Sequence, residues 1–418
     1  MKRIITLVLV ASVMLCSCTV SAHYEKNEQR REQYTVSSIS KYEKEVEFMN
    51  AVWISQFDLH PMLRDGGKMR DKADFYNKIT TVFDNLTKDG FDTVFIQLRP
   101  NGDSMYPSEV YPSSKYVTGI AGGNFDYDPI GIIMEIAEAH SVSMHAWINP
   151  FRLCSTDDAA VITDAFPYYS WYKSGNGKVV ECGGMLYLNP AYTEVTELIC
   201  RGAEEICERY SFDGLHIDDY FYPTEEEFND EKEFLASGYT DKGDFRRDNI
   251  SRTVKALYDT AHSCGMVFGV SPAGNLYSLA DGWYADAELW CSTEGYVDYI
   301  MPQLYFGFLN NYCPFERVLA DWADIVTCQS VVLYIGLSAA KAVIGSKGGE
   351  DVYAGNDEAR AEWINSKDIL ARSIAAVLAN ERAEGVCFFC YSSLYDPVTG
   401  EENPYISEEK QAFLPYMG

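Results

Sequence analysis

The densest chemistry in this chain lies in Asp213-Gly214-Leu215-His216-Ile217-Asp218-Asp219-Tyr220. Side chains two apart on a strand share a face, so His216, Asp218 and Tyr220 form one set and Leu215 and Ile217 the other. A carboxylate with a histidine beneath it is poor packing material, because a buried Asp is costly unless paired. The purely structural account has Asp218 capping the next turn or pairing with Arg99. The catalytic one draws on paired-carboxyl chemistry, in which one group gives a proton to a leaving atom and the other serves as nucleophile or base. Asp218 is the first candidate for nucleophile or base, held by His216 and Arg99. Asp219 has the wrong parity for a regular strand but sits where the strand ends. It is the candidate acid, its pKa raised by the neighbouring charge and partial burial. Asp58 and Asp103, in loops after two earlier strands, are alternatives for that role.

Other apolar runs also end in polar or aromatic residues: Gln97 and Arg99; His145, Trp147 and Asn149; Ser271; Gln303 and Tyr305; Ser338; Tyr391. One such end is routine, but a set of them suggests a lined pocket. Trp147 and Tyr305 would stack on sugar faces, while Gln97, Asn149 and Gln303 would bond hydroxyls. Arg99, His145, His216 and Tyr220 complete the substrate-binding set. A metal-assisted hydrolase would use His145, His216 and Asp218 as ligands, yet these lack regular spacing and the chain holds only 6 His. We therefore expect no metal and no cofactor. The acidic run Glu225-Glu226-Glu227 reads as a solvated helix start.

The elements that must position these residues alternate. Short apolar runs at 51–57, 93–98, 143–148, 214–217, 267–270, 299–304, 331–337 and 386–391 predict strands. Helical spacing falls at 73–88, 129–140, 193–210, 247–264, 281–291, 315–326 and 358–381. Eight strands with intervening helices point to parallel βαβ units and to an α/β fold, the (β/α)₈ barrel, whose chemistry sits at the C-terminal strand ends. An open doubly wound sheet is the runner-up, but no glycine-rich turn follows the first strand.

Composition bounds the partners. With 34 Lys+Arg against 62 Asp+Glu the net charge is −28 over 418 residues, a poor match to nucleic acid or to an anionic membrane surface. The 7 Trp, 30 Tyr and 21 Phe suit neutral, flat ligands such as sugars. Residues 1–17 read as a lipoprotein signal peptide: Lys2 and Arg3 precede an apolar run too short to span a bilayer, and Ser17 stands before Cys18, the candidate lipidated residue. An ordinary secretory signal cut near Ala22 is the alternative. Residues 18–47 form a polar tether and 48–418 one large domain. The expected location is outside the cytoplasm, attached to the envelope through an N-terminal lipid. Of 12 Cys, Cys16 and Cys18 fall in the signal. The remainder are expected to be mostly free thiols, with Cys154–Cys182 the best disulfide candidate. Cys200 and Cys207 read as core positions on a helix, and Cys387 and Cys390 as strand positions on opposite faces.

Several motifs occur in one order: Ala51-Val52-Trp53-Ile54-Ser55, Phe95-Ile96-Gln97-Leu98-Arg99-Pro100, and His145-Ala146-Trp147-Ile148-Asn149-Pro150. Leu188-Asn189-Pro190, the run Asp213–Pro223, Ser271-Pro272, and Met301-Pro302-Gln303-Leu304-Tyr305 follow. Over residues 48 to 395 the chain resembles the glycosyl-hydrolase-like family 10 domain of bacterial lipoproteins. The resemblance implies a (β/α)₈ glycosidase fold and an exported glycoside hydrolase acting on polysaccharide, in particular peptidoglycan-type cell-wall glycan. A non-catalytic glycan-binding lipoprotein is the alternative. A more distant likeness to the chitinase pattern aligns Asp213 and Asp218 with two of its aspartates. Tyr220, however, stands where its acidic Glu would be.

Overall fold

The computed structural model describes residues 48–417 except 160, 161, 163, 164, 219, 220 and 224–227. Cys18, the tether, Asp219, Tyr220 and the Glu225–Glu227 run therefore lie outside the described residues. Eight parallel strands close a barrel: β1 (Met49–Ile54), β2 (Thr93–Arg99), β3 (Ser143–Ile148), β4 (Gly214–Ile217), β5 (Val267–Val270), β6 (Tyr299–Ile300), β7 (Val332–Ser338) and β8 (Ala383–Phe389). Each pairs with its sequence neighbours, and β8 returns to β1. Closure disposes of the open-sheet alternative.

Helices α1 (Lys72–Lys88), α2 (Pro129–Ala139), α3 (Thr193–Arg209), α4 (Lys242–Ser263), α5 (Ala287–Ser292), α6 (Phe315–Ile325) and α7 (Ile369–Leu378) surround it. Each buries one stripe: in α1, Phe75, Ile79, Val82, Phe83 and Leu86 recur at helical spacing and face the outer side of the sheet. Two expected helices are broken. The 281–291 stretch divides at a π-turn over Leu279–Trp283 before α5. Similarly, 358–381 divides into Asp357–Arg360, Glu362–Asn365 and α7. Gly345 packs its backbone directly on Trp363, where a Cβ would fall 2.2 Å from the Trp363 carbonyl oxygen.

At the N-terminal rim, a carboxylate before each of β2, β4 and β6 accepts a backbone N–H from the preceding strand. Asp92 takes that of Asn50 at 3.0 Å, Asp213 that of Met144 at 2.8 Å and Asp298 that of Phe268 at 2.7 Å. Asp213 is thus a strand clamp on the face opposite the chemistry. The barrel interior is packed rather than open, with Ala51, Trp53, Phe95, Trp147, Tyr299, Met301, Cys387 and Cys390 forming one inner cluster.

A three-stranded antiparallel sheet, absent from the sequence expectation, inserts after β3: Arg152–Ser155, Met185–Leu188 and Val179–Cys182 in that spatial order. Cys154 and Cys182 lie on its two outer strands, about 9–10 Å apart by strand spacing, beyond the reach of a disulfide. Cys154 is a buried free thiol, as are Cys291, Cys387 and Cys390; Cys182 and Cys313 are buried too. Cys200 and Cys207 are half-buried. Cys387 and Cys390 do not face opposite ways, because β8 ends at Phe389 and strand alternation no longer governs Cys390.

Candidate active site at the C-terminal mouth

The strand register sets the layers of the site. Ile148 pairs with Ile217, so Asn149 and Asp218 stand side by side at the mouth. One layer deeper Gln97, Trp147 and His216 are aligned across β2, β3 and β4, and deeper still Phe95 and His145. A relay of polar side chains crosses the upper layers. The Gln56 backbone N–H donates to Gln97 Oε1 at 2.9 Å, Gln97 Nε2 donates to Asn149 Oδ1 at 2.7 Å, and Asn149 Nδ2 donates to Asp218 Oδ1 at 2.5 Å. All three side chains are buried, with Asn149 fully enclosed and Asp218 5% exposed. Both ends of each amide are used, which fixes their orientation and presents Asp218 with one oxygen held.

Arg99 acts differently from the expectation. Its guanidinium donates to the Tyr111 hydroxyl and to the carbonyls of Asn149 and Pro150 rather than bonding Asp218. It clamps the backbone that carries Asn149, so its effect on Asp218 comes through that residue. His216 also leaves Asp218 to others. The Trp53 indole N–H donates to His216 Nε2 at 3.3 Å, and His216 Nδ1 meets the Tyr299 hydroxyl at 3.1 Å, which also lies 3.0 Å from His145 Nδ1. Because Nε2 accepts, a neutral His216 carries its proton on Nδ1 and donates to Tyr299, whose O–H then donates to His145. Burial pushes the His145 pKa down to about 4 and that of His216 well below its ordinary value, aided by His145 itself. The pair is a neutral, ordered floor. With both His216 nitrogens occupied, the His145, His216, Asp218 metal set is not assembled. Gly214 and Gly269 make room for it: a Cβ would fall 2.2 Å from His145 Nδ1 and 2.0 Å from the Tyr299 ring.

Trp147 belongs to this floor. It is 4% exposed and packed in the inner cluster, so it does not offer a face to a sugar. Its inward parity is as expected, but the position lies one layer below the mouth. Tyr305 and Gln303 are half-buried at the rim, Tyr305 beside Phe389 and Gln303 near the Ser271 carbonyl. An aromatic at the end of the first run that was given no sugar-contact role is Phe57, 50% exposed on the first turn after β1 and edge-on to Tyr116 at 5.7 Å. It stands two residues after the capping Ser55, in the first turn of the helix Gln56–Leu63.

The alternative acids separate cleanly. Asp58 is fully buried, with Oδ2 accepting from Ser55 N and Oγ at 2.7 Å each and Oδ1 from Ser392 N at 2.9 Å. It closes a capping box and ties β1 to the turn after β8, a structural task that uses both oxygens. Asp103 is buried near Arg99, and desolvation raises its pKa to about 6, against the lowering influence of Ser114, Asn101 and Arg99. Among the described residues it is a carboxyl poised to hold a proton near neutrality.

A closed eight-stranded parallel barrel with a fixed carboxylate at the mouth is the architecture of many glycosidases. A family model described as Glycosyl hydrolase-like 10 matches residues 48–353. The glycosyl hydrolase YngK of Bacillus subtilis is 31% identical over 322 residues, 70% of this chain and 61% of its own length. The glycosyl hydrolase DigH of Escherichia coli K12 is 30% identical over 283 residues, 62% of this chain and 64% of its own. The chain thus spans less than two thirds of these relatives. Among solved structures, the PgaB (BpsB) glycoside hydrolase domain from Bordetella bronchiseptica aligns with a TM-score of 0.57 at 12% identity, covering 88% of this chain and 99% of that one. The endo-1,4-beta-mannanase from Rhizomucor miehei aligns at 0.52 and 9% identity, covering 90% and 96%. At such identities the structures attest the fold alone. The protein belongs to the Glycosyl hydrolase-like 10 family, and that membership supports a hydrolase acting on glycan.

Proposed function

We propose that the protein is an exported, lipid-anchored glycoside hydrolase that cleaves polysaccharide, with peptidoglycan-type cell-wall glycan as its substrate. The observation that carries this reading is Asp218, held at the end of β4 by the Gln97–Asn149 relay in a member of a glycosyl-hydrolase-like family. Asp218 serves as nucleophile or base, its position set before substrate arrives. The acid is Asp219 or Asp103, and the raised pKa of Asp103 suits a proton donor. Asn149 and Gln97 position Asp218. Gln303, Tyr305 and Phe57 at the rim contact the sugar, and the neutral His145–Tyr299–His216 floor keeps competing charge away from the reacting carboxylate. Export and anchoring rest on the signal pattern ending at Cys18, and no helix among the described residues is long and apolar enough to cross a membrane.

The test is release of new reducing ends from purified cell-wall glycan by the isolated protein. Time-dependent release supports an enzyme. Binding without release would instead favour the glycan receptor, the reading to which the missing chitinase-type Glu points.

A further inference from the structure

A cavity of about 600 Å³ opens between Tyr192, the helix Glu231–Ser237 and the first half of α4. It is separate from the interior of the barrel and belongs to the connection that leaves the end of β4. Its volume falls in the range of small-molecule sites. Tyr192, Tyr239 and Phe245 line it, together with Lys232, Asn249 and Arg252.

The charge arrangement is unusual for a molecule of net charge −28. Arg252 is half-buried, yet its guanidinium donates only to neutral oxygens: Asn249 Oδ1 at 2.9 Å and the Pro190 carbonyl at 2.7 Å. Its Nε has no partner, and among the described residues it forms no ion pair. Burial pushes its pKa down, the direction for a cation lacking compensation. Asn249 is 5% exposed, and because its Oδ1 accepts from Arg252, its Nδ2 must be the donor left over, also without a partner. Lys232 adds a second cation, this one exposed, with no ion pair among the described residues. The two carboxylates at the cavity, Glu233 and Asp248, accept from the hydroxyls of Tyr192 and Tyr239.

The unpartnered Nε and Nδ2 are themselves enclosed by protein; what faces the cavity is two cations without an ion pair among the described residues, beside aromatic rings, and these suit a ligand with an anionic acceptor and a flat apolar face. We propose that this cavity is an accessory binding site for a carboxylate-bearing saccharide, with Arg252 gripping the carboxylate and Tyr239 and Tyr192 packing on the sugar ring. The carboxylate rests on the geometry above; the saccharide rests on the glycan-hydrolase reading. The guanidinium is already oriented by Asn249 and Pro190, and Nη1 and Nη2 each keep a second N–H for a carboxylate oxygen.

Three probes separate the parts of the proposal in equilibrium binding to the full chain. N-acetylmuramic acid carries sugar and carboxylate, N-acetylglucosamine lacks the lactyl carboxylate, and the dipeptide Ala-Glu carries carboxylates without sugar. The acidic sugar should bind about tenfold or more tighter than either control, the scale of one charge-assisted contact. Arg252→Met and Lys232→Gln should each erode that preference. Tyr239→Ala, at an exposed position, should weaken the acidic sugar without changing the thermal melt. If Arg252→Met fails to fold, the Lys232 and Tyr239 variants carry the test. Equal binding of acidic and neutral sugar overturns the proposal, as does a preference untouched by all three variants. Binding of the dipeptide as tight as that of the sugar overturns the saccharide assignment. Hydrolysis measured in parallel keeps the two readings apart: selective binding without cleavage leaves this site standing and removes the catalytic one, and cleavage without selective binding does the reverse.

Discussion

Asn149→Ala removes the middle of the relay and leaves a worked cost. Two hydrogen bonds are lost, from Gln97 Nε2 and to Asp218 Oδ1, and all three groups are buried. A stranded neutral amide costs about 1–3 kcal/mol and a stranded carboxylate contact about 1.5–3. A water entering the small void would recover part of this, so roughly 2–5 kcal/mol is expected. For a domain larger than about 250 residues each kcal/mol shifts the melting temperature by only about 1–1.5 °C, which gives a fall of about 2–8 °C by calorimetry or near-ultraviolet dichroism. Catalysis should suffer separately, because Asp218 loses the contact that fixes its direction. Turnover of the remaining folded protein should drop about tenfold to a hundredfold with little change in KM. A variant that melts within about 1 °C of the parent would refute the claim that the relay is a buried, fully used network. Unchanged turnover would refute its role in positioning Asp218.

Trp147→Ala should cost about 3–5 kcal/mol of stability, as a core Trp does, and a variant with parental melting but weakened glycan binding would contradict the interior placement. If Asp103 is the acid, kcat/KM should fall as pH rises through about 6, and Asp103→Asn should erase that limb of the profile. The same shift makes a stability statement. The folded pKa lies above the unfolded one, so Asp103 lowers stability as pH rises from about 4 to about 6, while neutral His145 does the opposite between about 4 and 6.5. Cys18→Ala should block lipid labelling and membrane partitioning of the protein; unchanged labelling would refute the anchor.

The barrel was legible because its signals are local. Strands at 143–148, 214–217 and 267–270 coincide with β3, β4 and β5, since buried parallel strands are short apolar runs bounded by turns. Parity also placed His216 and Asp218 inward correctly. Depth was not legible. Trp147 and Asn149 share a face, yet only the register across β2, β3 and β4 shows that one is floor and the other mouth. Partner choice was equally hidden, because Arg99 finds Tyr111 and two carbonyls through a loop whose path no spacing encodes. The three-stranded insertion escaped for a related reason: its strands are four residues each and amid turns. The Cys154–Cys182 expectation failed with it, since a third strand lies between the two cysteines.

The central claim is that Asp218 does the chemistry and the surrounding amides only hold it. Asp218→Asn keeps the size and most hydrogen bonding but removes the charge. The measurement is single-turnover cleavage of purified cell-wall glycan by the parent and this variant, with glycan affinity and thermal melting followed in the same samples. The account predicts a loss of about two to four orders of magnitude in turnover, with affinity and melting close to those of the parent. Cleavage at near the parental rate would contradict it.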